Sequence, residues 1–142
     1  MTIAVTGATG FVGQALLDRA AKSGIAVRAL TRREQPAREG VEWVRGDLDD
    51  HAALRRLCRG AEAVIHVAGV VNASDRDTYE RVNVAGTRNL VEAMGGHIGV
   101  ESTAGQGSRF FISLPCQSTV PLQPRIVSDV PLTEQGPIRI LI

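Results

Sequence analysis

At 142 residues, with 44% hydrophobic and 22% charged side chains, the sequence has the length and composition of a soluble globular domain that buries its own core. A net charge of +1 gives no case for nucleic acid or a membrane surface as partner, and no apolar run approaches the ~20 residues that span a bilayer. Cys58 and Cys116 make no metal-type spacing, and the N-terminus lacks the basic start and cleavage site of a signal peptide, so a reduced, cytoplasmic setting with no metal is the expectation.

In chain order, "TIAVTG" (2–7) is a short apolar strand running into glycine. "FVGQALLDRAAKSG" (11–24) carries apolar residues at helical spacing and stops at Gly24. "IAVRALTR" (25–32) and "VEWVRGDL" (41–48) are the second and third strands. "HAALRRLCRG" (51–60) is a helix with Asp49 or Asp50 available as N-cap. "AEAVIHVAG" (61–69) is a strand apolar enough for a buried central position, and "RDTYERVNVAGTRNLVEAM" (76–94) is one long helix. Strands alternating with helices predict a parallel sheet with right-handed crossovers. After Gly95-Gly96 the pattern changes. "HIGVES" (97–102) and "SRFFISLP" (108–115) are two strands joined by the glycine-containing turn "TAGQG". Five of the six prolines lie between 115 and 137, so 116–137 reads as an extended linker, followed by the apolar, strand-like "IRILI" at 138–142.

The glycines of "AVTGATGFVG" carry the chemistry. Gly7 lets the chain turn off the first strand, Gly10 lets main chain approach a pyrophosphate, and Gly13 permits close packing of helix on strand. The helix N-terminus then offers free N–H groups and the positive end of its dipole to phosphates. A glycine triplet alone is only a tight turn. Here it stands between a predicted strand and a predicted helix, the context that points to dinucleotide binding.

Its spacing is G-x-x-G-x-x-G. With "GDLDD", "AVIHVAG" and "NVAGTRNLVEA" following in order, residues 1–94 resemble the short-chain dehydrogenase/reductase superfamily, and within it the NAD(P)-dependent epimerase/dehydratase, or extended, group. The resemblance implies an α/β, Rossmann-like, doubly wound and mainly parallel sheet; ended by the antiparallel β-hairpin read above, it makes one domain over 1–115. It further implies that Thr6, Gly7, Thr9, Gly10, Phe11, Val12 and Gly13 wrap the pyrophosphate. Asp47 and Leu48 match the pair that holds the adenine, although Asp47 also reads as the start of the next helix. Ala68 and Gly69 would pass beside the nicotinamide ribose, and Asn83 would tie the long helix to the fourth strand. NAD-specific relatives carry an Asp at the end of the second strand, whereas this chain has Thr31, Arg32 and Arg33. Guanidinium groups suit a 2′-phosphate, so NADP is expected over NAD, the alternative being a solvated basic run.

The family's chemistry uses a Tyr-x-x-x-Lys pair. Tyr79 is the only tyrosine, position 83 is Asn, and Lys22 is the only lysine, so no catalytic residue is assigned and the module is expected to be catalytically incomplete. Tyr79 reads as packing, Ser74 and Ser102 as ordinary polar residues, and His66 as a satisfied core histidine. The segment "LVEAMGGHIGVESTAGQGSRFFISLP" resembles the end of a sensor histidine kinase ATPase domain, and "PIRILI" is similar to the first strand of a receiver. That resemblance makes 95–115 a kinase-like hairpin and raises two alternatives: a non-catalytic chimera, in which "HIGVES" pairs beside the fourth strand and "RFFISLP" adds at the edge, and a phosphorelay fragment. The kinase family's nucleotide boxes and phosphoacceptor are missing from this sequence, so no ATP site is expected. An edge strand at 108–114, or "IRILI", offers a route to a homodimer by strand addition.

Overall fold

The computed structural model describes residues 1–72 and 75–115; Ser74, Cys116, the linker at 116–137 and the strand at 138–142 lie outside the described residues. Four parallel strands, β1 (Thr2–Thr6), β2 (Ala26–Thr31), β3 (Val41–Arg45) and β4 (Ala63–His66), form one sheet in the order β3-β2-β1-β4. The register pairs Val5 with Ala29 and with Ile65, and Ala29 with Trp43. Helix α1 (Phe11–Lys22) connects β1 to β2, and α2 (His51–Cys58) connects β3 to β4. The chain leaves β1 toward β2 and β3 and then crosses back to β4, so the strand order reverses between β1 and β4.

Alternation along β1 builds the two cores. Ile3 and Val5 face one side, where they pack with Leu17 and Ala20 of α1. Ala4 faces the other, with Leu54 and Leu57 of α2 and with Leu90. A strand covered by helices on both faces has no solvent face, which is why its sequence is a continuous apolar run. Helix α2 starts at Asp50, whose Oδ1 accepts the Ala53 N–H at 2.9 Å, so Asp50 rather than Asp49 is the N-cap. Arg28 of β2 gathers the other end of α2, its guanidinium donating to the carbonyls of Arg56, Leu57 and Arg59. The β2–β3 connection has no helix. Arg38 pins it to Gln14 and Asp18 of α1, and the Trp43 indole N–H donates to the Pro36 carbonyl.

Three expectations change. The fourth strand is shorter than 61–69 and half-buried rather than central, because among the described residues it pairs only with β1. The segment 76–94 is helical but not uniform: α3 (Arg76–Tyr79), a π-helical stretch over Glu80–Ala85, and α4 (Gly86–Ala93) run on from one another. At the wide turn the Asn83 side chain reaches out to the main chain of Val70, and just beyond it Gly86 lies against Leu48, where any Cβ would collide. Finally, among the described residues β5 (His97–Thr103) and β6 (Gly107–Ser113) pair only with each other, as a separate antiparallel sheet, so neither joins β4. The cause is local. Gly95 takes φ +78°, and the N–H groups of Gly95 and Gly96 donate to the carbonyls of Glu92 and Val91, a helix-ending motif that turns the chain out of the helix into the hairpin. The base of the hairpin then rests on the end of α4, where Gly96 meets Leu114 and Val91.

Candidate functional site

The carboxyl ends of β1 and β4 flank the point where the strand order reverses, the place where open α/β sheets leave a crevice. A groove of about 300 Å³ opens there. Its floor is main chain. Gly7 (φ +70°) adopts a conformation that favours glycine, and a Cβ on it would come within 2.6 Å of the Ala68 nitrogen. A Cβ on Gly13 would overlap the Gly7 carbonyl oxygen, so the first turn of α1 sits directly on the β1 turn. The Gly10 N–H donates to the Gly7 carbonyl at 3.0 Å, closing that turn. Helix α1 has no side-chain cap and no acidic residue in its first turn, which leaves its N-terminal N–H groups and dipole uncompensated by the chain itself.

Of the residues singled out in the sequence, Gly7, Thr9, Gly10, Arg32, Asp47 and Leu48 line the groove together, as do Ala68 and Gly69. Thr6, Phe11, Val12, Gly13 and Arg33 are not among its lining residues. Thr6 is buried behind it, the Phe11 side chain is 95% exposed, and Arg33 meets the Thr31 hydroxyl through its own main chain. Asp47 lines the groove and does not cap α2; its Oδ1 accepts the Asp49 N–H at 2.9 Å. Leu48 is fixed from two sides, by Gly86 and by the Asn89 amide donating to its carbonyl. Beside the groove, Arg32 and Arg45 share a shallower hollow with Asp47 and Asp50.

Sequence reasoning missed the far wall. Arg81 and Val82, on the π-helical stretch, line the groove, and the Arg81 guanidinium meets Asp49 Oδ2 at 3.2 Å across it. The only signal was proximity, two positions before Asn83. Asn83 ties the long helix not to the fourth strand itself but to the loop after it, accepting the Val70 N–H and donating to the Val70 carbonyl, both at 2.8 Å. Tyr79 donates its hydroxyl to the Val71 carbonyl at 2.9 Å. His66 is half-buried with both ring nitrogens in hydrogen bonds, and burial lowers its pKa, which favours the neutral ring.

Residues 3–126 match the NAD dependent epimerase/dehydratase family. The chain belongs to this family. The match continues through Gly95-Gly96 and the hairpin, so family membership is not confined to the parallel sheet. Among curated relatives, the ceramide reductase of Caulobacter vibrioides is 44% identical over 96 residues, covering 64% of this chain and 30% of that protein. The 2-alkyl-3-oxoalkanoate reductase of Stenotrophomonas maltophilia is 34% identical over 140 residues, 94% of this chain and 40% of that protein. Among solved structures, a mutant of uronate dehydrogenase from Agrobacterium tumefaciens complexed with NAD superposes with a TM-score of 0.58 at 28% identity, over 65% of this chain and 35% of that one. The UDP-glucose 4-epimerase of Thermus thermophilus complexed with NAD gives 0.56 at 30% identity, over 66% and 33%. This epimerase-family chain thus spans well under half the length of these relatives. No described helix is long and apolar enough to cross a membrane.

Proposed function

We propose that the chain is an NADP(H)-binding module of the epimerase/dehydratase family. Its Gly7–Gly13 turn would cradle the pyrophosphate, Asp47 and Leu48 would hold the adenine, and Ala68 and Gly69 would border the nicotinamide ribose. The observation that carries this reading is that these three groups, separated by up to 62 positions in sequence, open onto one groove floored by main chain. Phe11, Val12 and Gly13 contribute through N–H groups rather than side chains, and Thr6 supports the turn from behind. A bound nicotinamide dinucleotide supplies or accepts a hydride; this chain's residues bind it, orient it and exclude water.

The preference for the phosphorylated form rests on Arg32, which lies at the end of β2 and borders both the groove and the hollow that holds Arg45. The chain carries Arg32 and Arg33 and no carboxylate directly after β2, which suits a 2′-phosphate, while Asp47 and Asp50 share the neighbouring hollow with Arg32 and Arg45. The relatives solved with NAD share the fold; they do not fix the charge at this position. No Tyr-x-x-x-Lys pair exists within these 142 residues, and the Tyr79 hydroxyl is engaged with main chain, so the proposed role of these residues is to hold the dinucleotide. Titration with NADPH, NADH and Mg-ATP tests the reading, with NADPH expected to bind tightest. Arg32→Asp should weaken NADPH by about ten- to a hundredfold, the value of one charge-assisted contact, and favour NADH. Equal affinities for both dinucleotides in both proteins would sink the assignment.

A composite origin is the second reading, favoured by one observation: the hairpin pairs with no strand of the parallel sheet and leaves all of β6 exposed. Under it the hairpin, although the family match runs through it, is an appended element that takes no part in binding, and silence from every nucleotide in the same titration would favour it over the first.

A further inference from the structure

Behind the groove floor, one chain of hydrogen bonds links the long helix to the groove's edge. Thr87 Oγ1 donates to the Asn83 carbonyl at 2.7 Å, and His66 Nε2 lies 3.1 Å from that same hydroxyl. His66 Nδ1 lies 2.5 Å from Thr6 Oγ1, which accepts the Ala68 N–H at 3.3 Å. A hydroxyl has one proton and a carbonyl has none, so for a neutral imidazole a single arrangement satisfies every link. Thr87 spends its proton on Asn83, hence Nε2 must carry the ring proton and donate to Thr87. Nδ1 is then bare and accepts from Thr6, whose lone pair is left for the Ala68 N–H. With the proton on Nδ1 instead, the Thr6 hydroxyl would lose its acceptor, and Nε2 would compete with Asn83 for one Thr87 proton. That form makes one bond fewer, in a half-buried site where the missing bond is not replaced at full strength by water.

Asn83 thereby grips the loop after β4 at two places. Its side chain holds Val70, and its carbonyl, through Thr87, His66 and Thr6, sets the amide of Ala68. The Ala68 main chain is the same group that the Gly7 turn packs upon.

We propose that His66 is a positioning residue of the dinucleotide site, its Nε2–H tautomer passing a fixed hydrogen-bond direction from the long helix to the Ala68 amide at the groove's edge. The proposal rests on the dinucleotide reading above. It makes His66, a residue that does not itself line the groove, a determinant of how well Ala68 and Gly69 are held for the ligand.

Two measurements test it. Imidazole ¹⁵N spectra of the labelled chain should show His66 with an unprotonated Nδ1 and a protonated Nε2. Thr87→Val keeps the side-chain shape but removes the acceptor for Nε2–H, and should weaken NADPH by about three- to tenfold with loss of the single-tautomer pattern, the scale of one hydrogen bond. Thr87→Ser, which keeps the hydroxyl, should restore both. Because Thr87 is not a lining residue, direct loss of a ligand contact would not produce this result. An Nδ1–H ring in the unmodified chain, or wild-type NADPH affinity in Thr87→Val, overturns the proposal while leaving the dinucleotide reading standing. If the unmodified chain binds neither NADPH nor NADH, that reading fails and takes this one with it, whatever tautomer the spectra show.

Discussion

The parallel sheet and the terminal hairpin are built from comparable strands yet live in different environments. β1 has four of its five residues buried, and its neighbours are closed over by α1 on one face and by α2 and α4 on the other. β6 has none buried, and Phe110 is 75% exposed. The hairpin is held by its ladder, by the Arg109–Glu101 ion pair, by the Phe111 ring lying over Gly99, and by its footing on α4. Such a pair of strands is marginal on its own. The comparison shows where specificity comes from in this chain: helices lock the sheet's register, and the sheet's carboxyl edge, not the hairpin, is rigid enough to hold a groove.

Truncation in each region should separate them most sharply. Leu54→Ala removes a fully buried side chain between sheet and helix, and urea denaturation should report a loss of about 2–5 kcal/mol. Next in size, Gly13→Ala forces a methyl against the Gly7 carbonyl; the expected cost is about 1–3 kcal/mol in stability, with NADPH binding lost because the α1 turn is displaced. Titrating pH gives a smaller and directional effect. Burial holds the His66 pKa below its ordinary value of about 6.5, so its contribution to stability is complete above that pH. As pH falls through the lowered pKa, the unfolded chain has already taken up the proton that the folded chain resists, and stability declines. Thermal melts from about pH 7.5 down to about pH 5 should show a shallower decline in His66→Gln. The smallest effect belongs to the hairpin: Phe110→Asp should change stability by no more than about 0.5 kcal/mol and leave NADPH affinity untouched. A large loss of either would mean that the two regions cooperate after all.

Much of the site was legible because its signals are local. Gly7, Gly10 and Gly13 announce a strand-to-helix turn through their spacing between an apolar strand and a helical pattern, and Gly95-Gly96 marks the end of α4. Asp47 and Leu48 could be placed by resemblance, and the structure brings them to the same groove as Gly10. What was not legible depends on long-range fit. Nothing in "ERVNVA" marks a π-helical stretch, because the widening lies where Asn83 reaches Val70 and Gly86 lies on Leu48, contacts that span up to 38 positions. Arg81, which lines the groove, lies on that stretch. His66 could be read as satisfied, but its tautomer follows from the proton count of Thr6 and Thr87, which lie 81 positions apart. The strand "AEAVIHVAG" (61–69) was overestimated because apolarity records burial potential, not the number of neighbours that supply it.

The contact between Gly7 and Ala68 has one more consequence. Where the Gly7 turn meets Ala68, main chain packs on main chain with no room for a Cβ, so at that point the groove's floor is set by the fold. On the dinucleotide reading proposed above, an exchange of Arg32 at the rim would leave that main-chain contact in place, separating a fixed socket from an interchangeable label.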